Sequence, residues 1–385
     1  MALQSEIDRR STEVKSDGLQ SEIDLRSTEV KSDSYSMSIG ELTNLYQDKE
    51  IDIHPEFQRF YRWSSLQKTK LIESILLGIP LPPIFVSQRK DGVWDVIDGL
   101  QRLSTIFQFM GILLDEEGTT VEPLTLEETK YLPSLREKKW DNSEDVENSF
   151  TPAQKLFIKR SKLDVKIILK ESDEKSKYEL FQRLNTGGSP LSDQELRNCI
   201  LIMENRRMFS WLSELSKDEE FEQCIVLTDR AKEQQYDMDL ALRFVVFRTL
   251  DSEEVKKARD INEFITDKML DIARNSEFDF DQEAKAFKAT FRILNETIGA
   301  DCFHRYDIQK QKFLGGFLLS AFEAVALGVG YNYEAILDSE EKFDTLEKIK
   351  KLWGNNEFLR RIGSGKTASL RMPRIVPLGR DLFRL

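Results

Sequence analysis

Two short apolar stretches followed by a longer one with helical spacing dominate the hydrophobic pattern between residues 84 and 114. Residues 84–88 and 93–97 are rich in β-branched and aromatic side chains and flank an Asp-Gly pair, which predicts two strands joined by a tight turn. From Leu103 onward, apolar residues recur every three or four positions. The pattern therefore predicts a strand, a turn and a strand that lead directly into an amphipathic helix.

Residues 98–102 read Asp-Gly-Leu-Gln-Arg and lie where the second strand should end and the helix should begin. Asp98 and Gln101 have the spacing of a capping box, so the motif could be a well-made helix start and nothing more. The first helical turn also offers unpaired N–H groups that can hold an anion, with Arg102 beside them. Because an ionised Asp98 would repel a phosphate, we expect a divalent ion at Asp98 if a nucleotide binds here. The residues alone leave both interpretations open.

Helices and one more strand are predicted on either side of this unit. Three further capping boxes, Ser38 with Glu41, Ser64 with Gln67 and Ser192 with Glu195, predict helix starts. Order is expected to begin near Ser38, with helices to about residue 47 and over 66–77. A helix over 152–162, a strand over 163–169 and a helix over 174–184 should follow.

The second half of the chain has helical periodicity almost throughout. Periodic segments cover residues 238–250, 281–298, 308–327 and 333–353. We therefore predict an α+β domain over 35–204 and an all-α domain over 205–385.

The first 34 residues carry a tandem repeat: LQSEIDRRSTEVKSD at 3–17 and LQSEIDLRSTEVKSD at 19–33, joined by Gly18. Two short polar copies are too few to build a stacked repeat fold. Residues 1–34 are expected to form a mostly disordered arm.

The chain of 385 residues has a net charge of −12, so contact with nucleic acid would need a local basic patch. The best candidate is residues 359–384, which contain seven cations and one acid. The alternative is an ordinary charged surface that pairs with the acidic body. The predicted DNA-binding residues are Arg360, Arg361, Lys366, Arg371 and Arg374.

The few cysteines and histidines limit the chemistry that the chain can perform. Three widely spaced cysteines are expected to be free thiols in the cytoplasm. Two histidines, His54 and His304, are too few for HEXXH proteases or HNH nucleases. The longest apolar run, 313–330, contains Glu323, so we expect a buried helix and no membrane partner. Nuclease activity is not expected from this chain alone.

Two further segments contain candidate phosphate ligands. In residues 54–63, Arg59 and Arg62 alternate with aromatic side chains, which could grip phosphate and stack on bases or could simply join the core and form ion pairs. In residues 185–190, NTGGSP is either punctuation between helices or a loop whose N–H groups approach a ligand.

Four ordered blocks, PEFQRFYRW, LIESILLGIPLPPIFV, VIDGLQRLSTIFQF and LFQRLNTGGSPLSDQEL, together resemble the N-terminal domain of GmrSD-type modification-dependent restriction endonucleases, the DGQQR-motif proteins. The resemblance covers about residues 38–200. It implies a fold similar to ParB and sulfiredoxin, with a small sheet and packed helices.

The resemblance also implies NTP binding and hydrolysis that regulate action on DNA in restriction or phage defence. It gives catalytic roles to Asp98, Gln101 and Arg102 and a metal-binding role to Asp98, with Mg²⁺ as the expected ion. The implied nucleotide ligands are Arg59, Arg62, Asp98, Gly99, Gln101, Arg102 and Asn185. Leu100 departs from the DGQQR pattern, which puts hydrolysis in more doubt than binding. A separate nuclease or another defence subunit is an expected partner.

Two alternatives stay open from the sequence. The chain could be a non-catalytic DNA-binding protein in which the DGLQR turn is structural, or a protein-interaction component such as an antitoxin or sensor subunit. The first predicts DNA affinity that falls steeply with salt and does not respond to nucleotide.

Overall fold

A computed structural model of the chain describes residues 31–53, 63–115, 117–143, 145–172, 192–339, 343–362 and 367–385. The chain divides into two compact units, Met1–Pro190 and Leu191–Leu385. The first combines a five-stranded sheet with helices, and the second is predominantly helical. The predicted α+β class is confirmed.

The sheet of the first unit is mixed and has the strand order β1-β5-β3-β4-β2. β1 pairs antiparallel with β5, β5 parallel with β3, β3 antiparallel with β4, and β4 parallel with β2. The strands are β1 (Ser32–Ser38), β2 (Ile51–Asp52), β3 (Ile84–Gln88), β4 (Trp94–Asp98) and β5 (Lys162–Ile168). β3 and β4 are the predicted pair, and β4 lies between β3 and β2.

Four helices pack with this sheet, and two of them begin at predicted capping boxes. The helices are α1 (Ile39–Gln47), α2 (Ser65–Leu76), α3 (Leu100–Phe109) and α4 (Pro152–Arg160). At Ser38 and Ser64 the serine hydroxyl accepts from the third helical N–H, and the side chain at that position accepts from the serine N–H. Short 3-10 turns occur at Pro133–Leu135 and Val146–Asn148.

Strand β1 begins at Ser32, inside the segment predicted to be a disordered arm. It pairs with β5 along all seven residues, and Lys31 adds hydrogen bonds to Leu169 and Ser172. The strand was missed because SDSYSMS has a weak apolar pattern and depends on a partner far away in the sequence. Residues 1–30, with most of the predicted arm, and the helix predicted over 174–184 lie outside the described residues.

The second unit begins with α5 (Asp193–Glu204), which starts at the predicted capping box of Ser192 and Glu195. The helices that follow are α6 (Arg206–Ser216), α7 (Glu219–Ile225), α8 (Asp229–Glu233), α9 (Tyr236–Phe247), α10 (Ser252–Val255), α11 (Ile261–Arg274) and α12 (Phe280–Ile298). After a 3-10 turn at Gly299–Asp301 come α13 (Leu319–Asp338), α14 (Thr345–Leu352), α15 (Asn356–Arg361) and α16 (Ala368–Leu382).

Two predicted helices of this unit were wrong in part. Residues 308–327 do not form one helix, because a hairpin of β6 (Arg305–Asp307) and β7 (Lys312–Leu314) comes before α13. The side chain of Asp307 accepts from the N–H groups of Gln309 and Lys310 and closes the turn. The helix predicted over 333–353 is instead split between the end of α13 and α14. None of the helices in the described ranges is both long and apolar enough to cross a membrane.

Candidate functional site

The DGLQR turn joins β4 to α3, and the core of the first unit holds both elements. Leu103, Ile106 and Phe107 on α3 are almost completely buried, and the Phe107 ring stacks on Tyr46 at a centroid distance of 4.4 Å. This packing fixes the first turn of α3 relative to the sheet. Groups in that turn are therefore held on a rigid frame.

Gly99, not Asp98, is the N-cap of α3, so the predicted capping box is wrong. Gly99 has φ +100°, in the left-handed region, and this lets the chain turn sharply after a strand that continues through Asp98. The Asp98 side chain does not cap the helix, and α3 begins without a side-chain cap. The first turn consequently keeps the electropositive character of an uncapped helix start.

Arg102 is committed to the protein itself. Its Nη2 lies 2.8 Å from Oδ2 of Asp98, and its Nη1 donates to the carbonyl oxygens of Pro82 and Pro83, at 3.1 Å for Pro83. Its side chain is only 10% exposed. Burial lowers the pKa of Arg102, and this effect outweighs the charge of Asp98, which would raise it. These contacts tie the proline segment and Asp98 to α3, while the predicted contact of Arg102 with phosphate stays a prediction.

Asp98 keeps an accessible carboxylate in spite of this ion pair. Its side chain is 33% exposed, and Arg102 engages one of its two oxygens. Gln101 is half-buried in the same turn. The structure therefore brings together an oriented carboxylate and an uncapped helix start, with the arginine behind them.

A divalent ion at this turn would have few side-chain ligands among the described residues. Within the described ranges no three His, Cys, Asp or Glu side chains converge to form a metal site. Mg²⁺ is commonly held by one or two carboxylates together with substrate phosphates and water. Asp98 fits that arrangement, because one of its oxygens is not used by Arg102.

The more distant nucleotide ligands implied by the resemblance lie outside the described residues. These are Arg59, Arg62 and Asn185. The four candidates that the structure does describe, at positions 98, 99, 101 and 102, are neighbours in the turn.

Part of the basic C-terminal segment is internal in the second unit. Arg371 lies on α16, and its guanidinium donates to both carboxylate oxygens of Glu323 on α13, at 2.7 and 2.8 Å. Glu323 is 1% exposed. This ion pair takes Arg371 away from the surface predicted to contact DNA.

The other cations of this segment differ in their exposure. Arg380 donates to the carbonyl oxygens of Phe247, Arg248 and Leu250 at the end of α9, at 2.7 to 3.1 Å, and burial lowers its pKa. Of the remaining predicted DNA ligands, Arg360 and Arg374 are exposed, Arg361 is half-buried, and Lys366 lies outside the described residues.

Sequence reasoning missed two charge clusters. Asp239 on α9 is buried between Arg197 and Arg243, accepting from the first through Oδ1 and from the second through Oδ2. In the first unit, Arg89 bridges Asp52 and the buried Asp95, with its Nη2 2.7 Å from Asp52 and its Nε 2.9 Å from Asp95. The one sequence signal for such a cluster is a charged residue at an inward position of an apolar element, as Asp95 is within WDVID.

Residues 42–202 match the family described as GmrSD restriction endonuclease, N-terminal domain. Residues 42–202 thus form a domain of this family, as the sequence motifs predicted, and this domain implies a restriction or phage-defence context. The match begins in α1 and ends in α5, so it runs past the boundary between the two units. No curated protein and no solved structure shows a significant match to the chain.

Proposed function

We propose that the DGLQR turn binds an NTP together with Mg²⁺, and that the bound nucleotide regulates action on DNA in a restriction or phage-defence system. The observation that carries this proposal is the uncapped start of α3 beside an accessible Asp98. Among the described residues, this is the point where the family motif and a chemically suitable arrangement coincide.

The start of α3 supplies the groups that phosphate requires. The helix has ten residues, and its first-turn N–H groups carry the positive end of the peptide dipole. Gly99 has no side chain that could cap the helix, so no N-cap side chain occupies the first-turn N–H groups. The N–H group of Leu100 is therefore the proposed phosphate contact.

Asp98 and Arg102 have different roles in this proposal. A bare carboxylate beside phosphate is repulsive, and a divalent ion between the two removes that repulsion. Asp98 would hold the ion, which would supply charge neutralisation when bound. Arg102 is a positioning residue, because it holds Asp98 and the proline segment in place without facing the ligand.

Turnover is a step separate from binding. Leu100 stands where the DGQQR pattern has its first glutamine, and a leucine cannot orient water. Hydrolysis would have to rely on Asp98 and Gln101. Phosphate release measured with each NTP, with and without DNA, tests whether the domain is an NTPase or a nucleotide-responsive switch.

The binding test compares Asp98→Asn with Asp91→Asn, an exposed aspartate in the β3–β4 turn of the same sheet. We expect Asp98→Asn to weaken Mg²⁺-dependent NTP binding at least tenfold by calorimetry, a loss of about 1.4 kcal/mol, and Asp91→Asn to leave it unchanged. Equal affinities for wild type and Asp98→Asn, with both proteins folded, would reject the proposal.

The burial of Arg102 favours a second candidate, in which the turn is purely structural and the chain acts as a binding subunit without nucleotide. In that case no NTP binds in the presence of Mg²⁺, and Arg102→Ala changes stability alone. Thermal unfolding of wild type and Arg102→Ala, each with and without Mg²⁺ and NTP, separates the two candidates, because NTP stabilises wild type only if it binds.

A further inference from the structure

We propose that the β6–β7 hairpin and helix α14 of the second unit form a contact surface for double-stranded DNA. These two elements are termed the basic wing below, comprising residues 305–314 and 345–352. The basic wing is not the C-terminal segment that the sequence predicted to bind DNA. This proposal rests on the proposed function and names the surface through which the chain would contact DNA.

The basic wing is positively charged in a strongly acidic chain. Its ranges contain six lysines and arginines against two acids, while the whole chain carries −12. Arg305 and Lys312 form no ion pair with a described residue, and the Lys310 side chain is 64% exposed. The cations of the wing are Arg305, Lys310, Lys312, Lys348, Lys350 and Lys351.

The two acids of the wing are already engaged within it. Asp307 accepts from the Gln309 and Lys310 N–H groups, both at 3.0 Å, and these bonds together with nearby cations lower its pKa. Glu347 pairs with Lys350 at 2.7 Å. Phosphate approaching the wing therefore meets an excess of positive charge.

The hairpin has an inner and an outer face. Tyr306 and Phe313 are paired across the strands, with ring centroids 5.0 Å apart, and Lys350 lies over the Tyr306 ring at 5.8 Å. Strand alternation places Arg305 and Lys312 on the opposite face, which they share with Asp307. The aromatic face thus packs toward α14 and leaves the two cations outward.

The tip of the hairpin carries an exposed apolar side chain next to Asp307 and close in sequence to two lysines. Ile308 is 56% exposed, and it is followed by Lys310 and Lys312. A two-stranded ribbon fits the major groove of B-DNA, and architectural proteins that bind the minor groove insert apolar side chains between base steps. Charge complementarity therefore favours duplex DNA as the occupant of this surface.

The test measures binding of the full-length chain to a short fluorescent duplex by anisotropy, between about 50 and about 200 mM salt. Lys310→Glu with Lys312→Glu should reduce affinity at least tenfold and lower the steepness of the log–log salt dependence by about 2. Lys285→Glu with Lys288→Glu is the matched control, because these exposed α12 lysines give the same change in net charge. The control should bind almost like wild type.

A position-specific readout guards against an effect on folding. A photo-crosslinker attached at Gln309→Cys, in the exposed turn, should label duplex DNA. Three outcomes would overturn the proposal. The wild type could fail to bind duplex DNA at about 50 mM salt, or both double variants could lose affinity equally. Displacement of DNA by an equal charge of polyglutamate would also overturn it and would indicate an acidic protein as the partner. All of these assays omit nucleotide, so their failure is independent of the site at Asp98.

Discussion

Gly99 faces the side chain of Ile84 so closely that no other residue fits at its position. A Cβ built on Gly99 would lie 3.3 Å from both Cγ1 and Cγ2 of Ile84 and would overlap its Cδ1. Ile84 is completely buried in β3 and cannot move aside freely. The sharp turn from β4 into α3 therefore depends on glycine for both its φ angle and its lack of a side chain.

Gly99→Ala should lower the free energy of unfolding by about 2–4 kcal/mol, through the left-handed conformation and overpacking together. Gly92→Ala is the control, because Gly92 has φ +94° but no atom within 4 Å of its would-be Cβ. It should lose only about 1–2 kcal/mol. Adding Ile84→Val, which removes Cδ1, should rescue Gly99→Ala in part. Urea unfolding of wild type and these three variants measures the changes. Equal losses of stability in Gly99→Ala and Gly92→Ala would contradict the packing argument.

The ion pair between Arg371 and Glu323 predicts a loss of stability when one partner is removed. Arg371→Ala leaves a carboxylate buried in α13 without its cation and should cost about 3–5 kcal/mol. Replacing both residues by leucine should cost less than removing Arg371 alone, because no uncompensated charge remains. Thermal and urea unfolding check this. An Arg371→Ala protein as stable as Arg374→Ala, an exposed neighbour on α16, would show that the pair is not formed.

Asp239 predicts an acid-sensitive step in unfolding. Burial alone would raise the pKa of Asp239, but the charges of Arg243 and Arg197 outweigh burial and lower it below its ordinary value. Its contribution to stability is therefore complete above the unfolded pKa of about 3.9 and is lost as pH falls through the lower folded pKa. Asp239→Asn should be less stable near neutral pH and should lose less stability on acidification. Unfolding curves from about pH 7 to about pH 3 test this, and parallel losses in both proteins would contradict it.

The thiols should be unreactive in the folded protein. Cys199, Cys224 and Cys302 are all buried, and burial raises the pKa of Cys199 and Cys302, which keeps these groups in the thiol form. Ellman's reagent should react slowly with native protein near neutral pH and should titrate three thiols after denaturation. A fast native reaction of even one thiol would show that this part of the second unit opens readily.

Local chemistry determined which helix starts were predictable. Ser38, Ser64 and Ser192 form capping boxes with residues three positions later, and all three starts were predicted from that spacing. Asp98 and Gln101 have the same spacing, yet the prediction failed there. The glycine between them prefers the left-handed cap, so the competing conformation could not be seen in the spacing alone.

Pairing between distant residues explains most of what the sequence did not reveal. β1 is formed through β5, more than a hundred residues away, and Arg371 finds Glu323 across 48 residues. Proline ordinarily interrupts a helix, yet α16, which packs on α13, continues through Pro373 and Pro377. The nucleotide-binding roles at the DGLQR turn stay predictions. The burial of Arg102 moves the proposed contacts to Asp98 and the start of α3 but does not test whether nucleotide binds there.

Strand β1 has a genetic consequence. Its first two residues, Ser32 and Asp33, are the last two of the second repeat copy, and Ser16 and Asp17 duplicate them. The copies begin sixteen residues apart, at Leu3 and Leu19, so recombination between them would excise one unit and keep the reading frame. The sequence entering the sheet would be unchanged. Loss of one unit would therefore leave the edge of the sheet intact.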